Sequence, residues 1–323
     1  MARGGTTRET PTTMSLPQAR AMMKGFDKRL DAAIKQGIGP IFDERAWRAV
    51  NQDEMLASNI YDTRIFKAAK DSRPAPTWHH TVASVIGQTR SGGRNTVVLR
   101  GRATFHQKAG DDAKKQNVSF DALWVMERTS PSQQWKLADQ MSLEVANLPR
   151  RSQRPSAATA TASVTDPLRV VAPVIDGFQQ GEFDGLATGK PIAHTKKQIR
   201  IAQDIDDTYS CYPRSAKPGT TTVRRSSPDV VVLDRRTPTL VVLRLRCDVD
   251  HWTRTNKPTL QVPPAQAKVD GLKRLVTHGP EGYSMTVLIS VPRKGKPVVL
   301  EVSADRVLRR GAPHPLTPRG RPA

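Results

Sequence analysis

Apolar residues along this chain follow two periods, and the same change of period occurs twice. From Ser15 onward, Leu16, Ala19, Met22, Met23, Phe26, Leu30, Ala33, Ile34 and Ile38 recur at three- and four-residue steps, the stripe of an amphipathic helix. Ser15 fits the N-cap and Pro17 the first turn, and Gly37, Gly39 and Pro40 supply the stop. A second helix is predicted over 43–61, with Trp47, Val50, Met55, Leu56, Ala57 and Ile60 inward, and Ile65 and Phe66 open a short third. Beyond Pro74 and Pro76 the period drops to two. Strands are predicted over 78–89, 95–107, 117–129 and 134–145, separated by Gly-, Asp- and Ser-rich loops. Phe120, Ala122, Trp124 and Met126 then share one strand face.

The order repeats in the second half. Leu168, Val171, Val174, Ile175 and Phe178 predict a helix over 167–180, and Ile192, Ile199, Ile201 and Ile205 another over 191–209. Strands follow at 221–225, 230–234, 240–251, 283–291 and 297–302, the last two joined by a hairpin turn with Gly295 at its tip. Helices first and sheet afterwards, twice, is an α+β pattern of two tandem domains, each with N-terminal helices packed on an antiparallel sheet. The boundaries read as a lead-in over 1–14, a first domain over 15–149, and a Ser/Ala/Thr/Arg linker over 150–165. A second domain over 166–312 and a basic Pro-rich tail over 313–323 complete the chain.

Charge changes this picture in one respect. The 323 residues carry 51 Lys+Arg against 30 Asp+Glu, a net charge of +21. It divides as 23 basic against 15 acidic (+8) over residues 1–150 and 28 against 15 (+13) thereafter. Arginine outnumbers lysine, which suits bidentate phosphate contacts and equally suits a compositional bias of the coding sequence. Arg224, Arg225, Arg235, Arg236, Arg244, Arg246, Arg309 and Arg310 are the candidate polyanion surface, on strand pairs and in the tail. The aromatics alternate as core instead of forming a base-stacking platform. The partners this surface suits are anionic lipid head groups, a wall polymer or nucleic acid.

Candidate chemistry is thin. Cys211 and Cys247 belong to no CxxC or Cys/His array; they are a possible disulfide, with two buried thiols as the alternative. His79 and His80 are adjacent on a strand and point to opposite faces, so they do not form a metal pair. Asp204, Asp206 and Asp207 near a predicted helix end lack the spacing of a calcium loop. Asp248, Asp250 and His251 read as an exposed strand end. No nucleophile elbow, phosphate loop, dinucleotide fingerprint or zinc-protease helix occurs. No catalytic, cofactor-binding or metal residue is therefore assigned, and the expectation is a protein that is not an enzyme. No apolar run reaches transmembrane length.

Several short stretches resemble a family of actinobacterial lipoproteins of unknown function, whose chains hold two helix-then-sheet halves. They are Trp135-Lys136-Leu137-Ala138 followed by Leu148-Pro149, Asp166-Pro167, Ala172-Pro173, the run Phe183-Asp184-Gly185-Leu186-Ala187-Thr188-Gly189, and Asp206-Asp207. The resemblance spans residues 17–305. More loosely, the order of elements is similar to the cystatin-like cone of nuclear-transport-factor-2-type domains, with helices closing one side of a curved sheet. These resemblances imply a non-enzymatic binding or scaffold protein of the bacterial cell envelope, extracytoplasmic if an export signal lies upstream of Met1 and cytoplasmic otherwise. The alternatives are a polyanion-binding protein of the cytoplasm or a phage, and a cavity enzyme or small-ligand binder on the cone-shaped fold.

Overall fold

The computed structural model describes residues 14–37, 44–69, 77–91, 93–107, 116–143, 167–181, 183–187, 190–193, 195, 205–224, 227–233, 239–254, 260–271, 275–276, 278–292 and 294–307. Helices α1 (Leu16–Gly37), α2 (Glu44–Val50) and α3 (Asp53–Ala69) precede strands β1 (Thr77–Ser91), β2 (Arg94–Gln107), β3 (Gln116–Arg128) and β4 (Lys136–Ser142). A 3-10 turn at Pro167–Val170 leads into α4 (Val171–Gln180), then β5 (Ile205–Pro213), β6 (Val230–Leu233) and β7 (Thr239–Thr253). A two-stranded ribbon, β8 (Leu260–Gln261) and β9 (Leu275–Val276), brackets α5 (Pro264–Asp270). Strands β10 (His278–Val291) and β11 (Val298–Val307) end the described chain.

The first sheet is the meander β1-β2-β3-β4, antiparallel throughout. The second runs β11-β10-β7, and β7 carries two strands end to end on its far edge, β6 against Leu240–Leu243 and β5 against Leu245–Thr253. The chain is thus α+β with two antiparallel sheets.

Strand alternation assigns each face a partner. On the first sheet Val97, Leu99, Ala122, Trp124, Met126 and Leu137 face the α1 stripe of Ala19, Met23, Phe26 and Leu30. On the second, Val241, Leu243, Leu245, Cys247 and Val249 face Val171, Val174, Ile175 and Phe178 of α4. The opposite faces meet each other. Val98, Leu123, Val125, Ala138 and Met141 of the first sheet form one core with Val231, Leu233, Leu240, Val242, Leu288 and Leu300 of the second. The order of layers is helix, sheet, sheet, helix, with no solvated sheet face at the centre.

Local signals explain the element ends. Ser15 and Gln18 cap α1 reciprocally, the Gln18 amide N–H reaching Ser15 Oγ at 3.4 Å and the Ser15 N–H reaching Gln18 Oε1 at 2.8 Å. The predicted helix over 43–61 is two helices, because the chain at Asn51 and Gln52 bridges to β4 and the Gln52 N–H donates to the Leu137 carbonyl at 2.8 Å. Residues 191–209 are not one helix. Helix is present at 190–193, and from Ile205 the chain is a strand, since Tyr209 and Cys211 alternate into the core under α4. The predicted strand over 221–225 is irregular at 221–224.

Candidate functional site

The site begins at a glycine. A Cβ on Gly101 would lie 1.9 Å from the Thr81 carbonyl oxygen of the neighbouring strand and 2.8 Å from the Trp124 ring. Glycine is the residue that lets this backbone and the indole approach so closely. Trp124 meets the imidazole of His80 edge-on, centroids 5.1 Å apart, and Trp78 lies parallel to the same imidazole at 6.0 Å. From α1, Asp27 completes the arrangement. It accepts the His80 backbone N–H at 3.0 Å through Oδ2 and contacts His80 Nδ1 at 2.5 Å through Oδ1. With the carboxylate as acceptor, Nδ1 carries a proton and the ring orientation is fixed from the helix side.

His80 forms part of the wall of a cavity of about 270 Å³ between the helices and the first sheet. Trp47 of α2, Trp78 of β1 and Phe120 of β3 supply its flat apolar surfaces. Asn51, Asn59 and Gln140 supply neutral hydrogen-bonding groups. Ser303 and Asp305 of β11, from the second sheet, complete the wall. Burial first, and then the Asp139 carboxylate, push the Asp305 carboxyl up to about 7 against the opposing pull of Arg214.

A second polar cluster lies where α3, α5, β7 and β10 converge. His251 Nδ1 is 2.7 Å from Asp207 Oδ1 and its Nε2 is 3.3 Å from Glu281 Oε2. Glu281 also accepts from Gln266 at 2.7 Å, from Arg306 at 2.8 Å and from the Tyr283 hydroxyl. The Tyr61 hydroxyl donates to Asp270 at 3.0 Å across an adjoining cavity of about 200 Å³. These acids are matched by donors within the protein, so the cluster ties elements together and offers a ligand little.

Burial opposes the His251 cation, but its bonds to Asp207 and Glu281 more than offset that and push it up to about 9. Burial likewise opposes the Glu281 anion, yet His251 and Arg306 bring it down to about 2. A raised histidine contributes stability that is full below its unfolded value near 6.5 and lost as pH climbs through the folded value. Urea unfolding between pH 6 and 9.5 should therefore show stability falling by about 3 kcal/mol on the alkaline side. The variant His251→Asn should flatten that slope; an unchanged slope would refute the assignment.

The sequence candidates land in different places. Cys211 and Cys247 face each other in register on β5 and β7, Cα atoms 4.1 Å apart, and are joined as a disulfide. Arg224 is exposed, while Arg225, Arg235, Arg236, Arg309 and Arg310 lie outside the described residues. Arg244 and Arg246 require correction. They are 3% and 1% exposed, because the β7 face that carries them packs between the sheets. Asp248, Asp250 and His251 are likewise buried, not an exposed strand end. Asp248 accepts the Tyr212 hydroxyl at 3.2 Å, and Asp250 contacts His278 Nε2 at 2.5 Å. Asp206 and Asp207 lie on β5 and not at a helix end. Among the described residues, no group of three or more His, Cys, Asp or Glu side chains could hold a metal ion, and no helix is long and apolar enough to cross a membrane.

Sequence reasoning passed over Asp27 and Asp305. A signal existed for Asp27, an acid on the Met23, Leu30 and Ile34 side of an apolar helix stripe. For Asp305 there was none, since its strand was predicted to end at 302.

No protein-family model matches the chain, and no curated protein matches it. Among solved structures, the intermembrane space region of the chloroplast protein ARC6 is similar at 15% identity and a TM-score of 0.28, over 40% of this chain and 96% of that one. An Ntf2-like protein involved in plasmid conjugation is similar at 10% identity and a TM-score of 0.17, over 83% of this chain and 96% of that one. Likenesses of this size carry no argument about architecture or activity.

Proposed function

We propose that this is a non-enzymatic binding protein that holds a small, flat organic molecule in the cavity beneath α2 and α3. The observation that carries the reading is the cavity wall itself. Three aromatic side chains face a few neutral amides and a histidine locked by Asp27, the mix of apolar surface and fixed polar groups typical of small-molecule sites. Its size of about 270 Å³ admits one or two rings, not a polymer.

In this reading each half is a helix-then-sheet unit of the cystatin-like kind, two in tandem; the repeated order of helices and antiparallel strands supports it. An extracytoplasmic, lipoprotein-like setting at the cell envelope belongs to the same proposal. Its support is the Cys211–Cys247 disulfide, a bond that persists in oxidising compartments. A second reading, acid–base chemistry on the bound molecule, is favoured by the His80–Asp27 pair at the cavity wall.

Calorimetry tests the site: indole titrated into the full chain should bind saturably, and Ser142→Phe, which fills the cavity from β4, should weaken that binding at least tenfold. No saturable response up to millimolar indole, or equal binding by the filled variant, would refute the site.

A further inference from the structure

The chain has 51 Lys+Arg and a net charge of +21, yet no lysine or arginine is among the described residues that line the cavity. Among the described residues its wall has one carboxylate, Asp305. The remaining polar groups at the wall are amides and serine hydroxyls, together with His80, whose Nδ1 Asp27 occupies. A basic protein thus presents an acid and aromatic faces to whatever enters.

Resting on the reading of this cavity as a ligand site, we propose that it selects organic ammonium ions, with the Asp305 carboxylate as counter-charge and the rings of Trp47, Trp78 and Phe120 as walls. Ammonium groups are attracted both to a carboxylate and to the faces of indole and phenyl rings, and no other described wall residue is an acid. Asp305 comes from β11 of the second sheet while the aromatic wall comes from elements of the first half. Charge recognition and shape recognition are therefore supplied by different halves of the chain.

The groups facing Asp305 give this selectivity a pH dependence. Asp139 of β4 and Asp62 of α3 favour its protonated form, and Arg214 of the turn after β5 opposes them. On its own sheet the residue opposite in register is the neutral Ser284. Below about pH 7 the carboxyl is mostly neutral in the empty cavity, so an incoming ammonium must displace its proton. Affinity for the cation falls as pH drops, and affinity for a neutral analogue does not.

The test compares three probes of one shape: phenethylamine, 2-phenylethanol and hydrocinnamate, titrated into the full chain at pH 8 and pH 6 by tryptophan quenching and calorimetry. The amine should bind at least tenfold tighter than the alcohol at pH 8, with the carboxylate weakest, and it should lose severalfold to tenfold in affinity at pH 6. Asp305→Asn should remove most of the amine's preference, leaving only what the rings supply, while the alcohol binds as before, which certifies the fold of the variant. Asp305→Glu, keeping the charge, should restore the preference. Equal binding of amine and alcohol to the native chain, or an amine preference that survives Asp305→Asn undiminished, overturns the ammonium proposal and leaves the cavity reading standing. If none of the three probes, nor indole, binds saturably, the cavity reading falls and the ammonium proposal with it.

Discussion

Replacing Arg244 by Leu should destabilise the protein by about 3–5 kcal/mol, the usual cost of removing one partner from a buried ion pair. The guanidinium sits between the sheets. Its Nε donates to Asp139 Oδ2 at 2.6 Å, and Nη1 donates to Glu127 Oε1 at 2.7 Å and to the Pro228 carbonyl at 3.1 Å. Asp139 accepts further bonds from Arg214 at 2.8 Å and Thr286 at 2.6 Å, and Glu127 one from Thr96 at 3.1 Å. Burial alone would raise the Asp139 carboxyl, but Arg214 and then Arg244 more than offset that and hold it below its ordinary value. Without Arg244, Glu127 is left with Arg94 at 3.5 Å and Asp139 with Arg214 at 2.8 Å, and the two buried carboxylates lose the guanidinium that joins them. Neutralising the acids as well, in Glu127→Gln/Asp139→Asn/Arg244→Leu, should recover a large part of the loss, because the penalty comes from unmatched charge. Urea melts of the single and triple variants decide the matter. A single-variant cost under 1 kcal/mol would refute a closed ionic layer.

The second large effect is expected from the disulfide. Cys211 and Cys247 are 36 positions apart, and closing a loop of that length removes about 4 kcal/mol of denatured-chain entropy in the loop-closure model. The sulfurs lie in the core under α4, where Tyr209, Leu245 and Val249 surround the bridged strands. Cys211→Ala/Cys247→Ala should lower stability by about that amount, and the single variants should do no better. A double variant melting within 1 kcal/mol of the native protein would show that the bridge constrains little.

Much of the fold could be read from the chain because period and layer coincide there. The α1 stripe marks one helix face, and the alternation through Trp124 and Met126 marks the sheet face opposite it. The contact of the two sheets could not be read so directly. Strand alternation says that Arg244 and Arg246 share a face, but it does not say whether that face meets water or a second sheet. One cue was present, the unbroken apolar run Leu240-Val241-Val242-Leu243, which signals a strand buried on both sides. The cavity eluded the sequence for a related reason. Trp47, His80 and Asp305 stand on three separate elements, with Asp27 holding His80 from a fourth, and only the packing of those elements brings the three to one wall.

The ion pairs that cross between the sheets at Arg244 and Arg214 share one direction. The first sheet contributes the acids Glu127 and Asp139, and the second half contributes the bases Arg244 and Arg214. Two copies of the first sheet laid face to face would set Glu127 and Asp139 against their own kind, without the Arg244 guanidinium that joins the two acids. These pairs therefore favour contact between unlike sheets over contact between like ones.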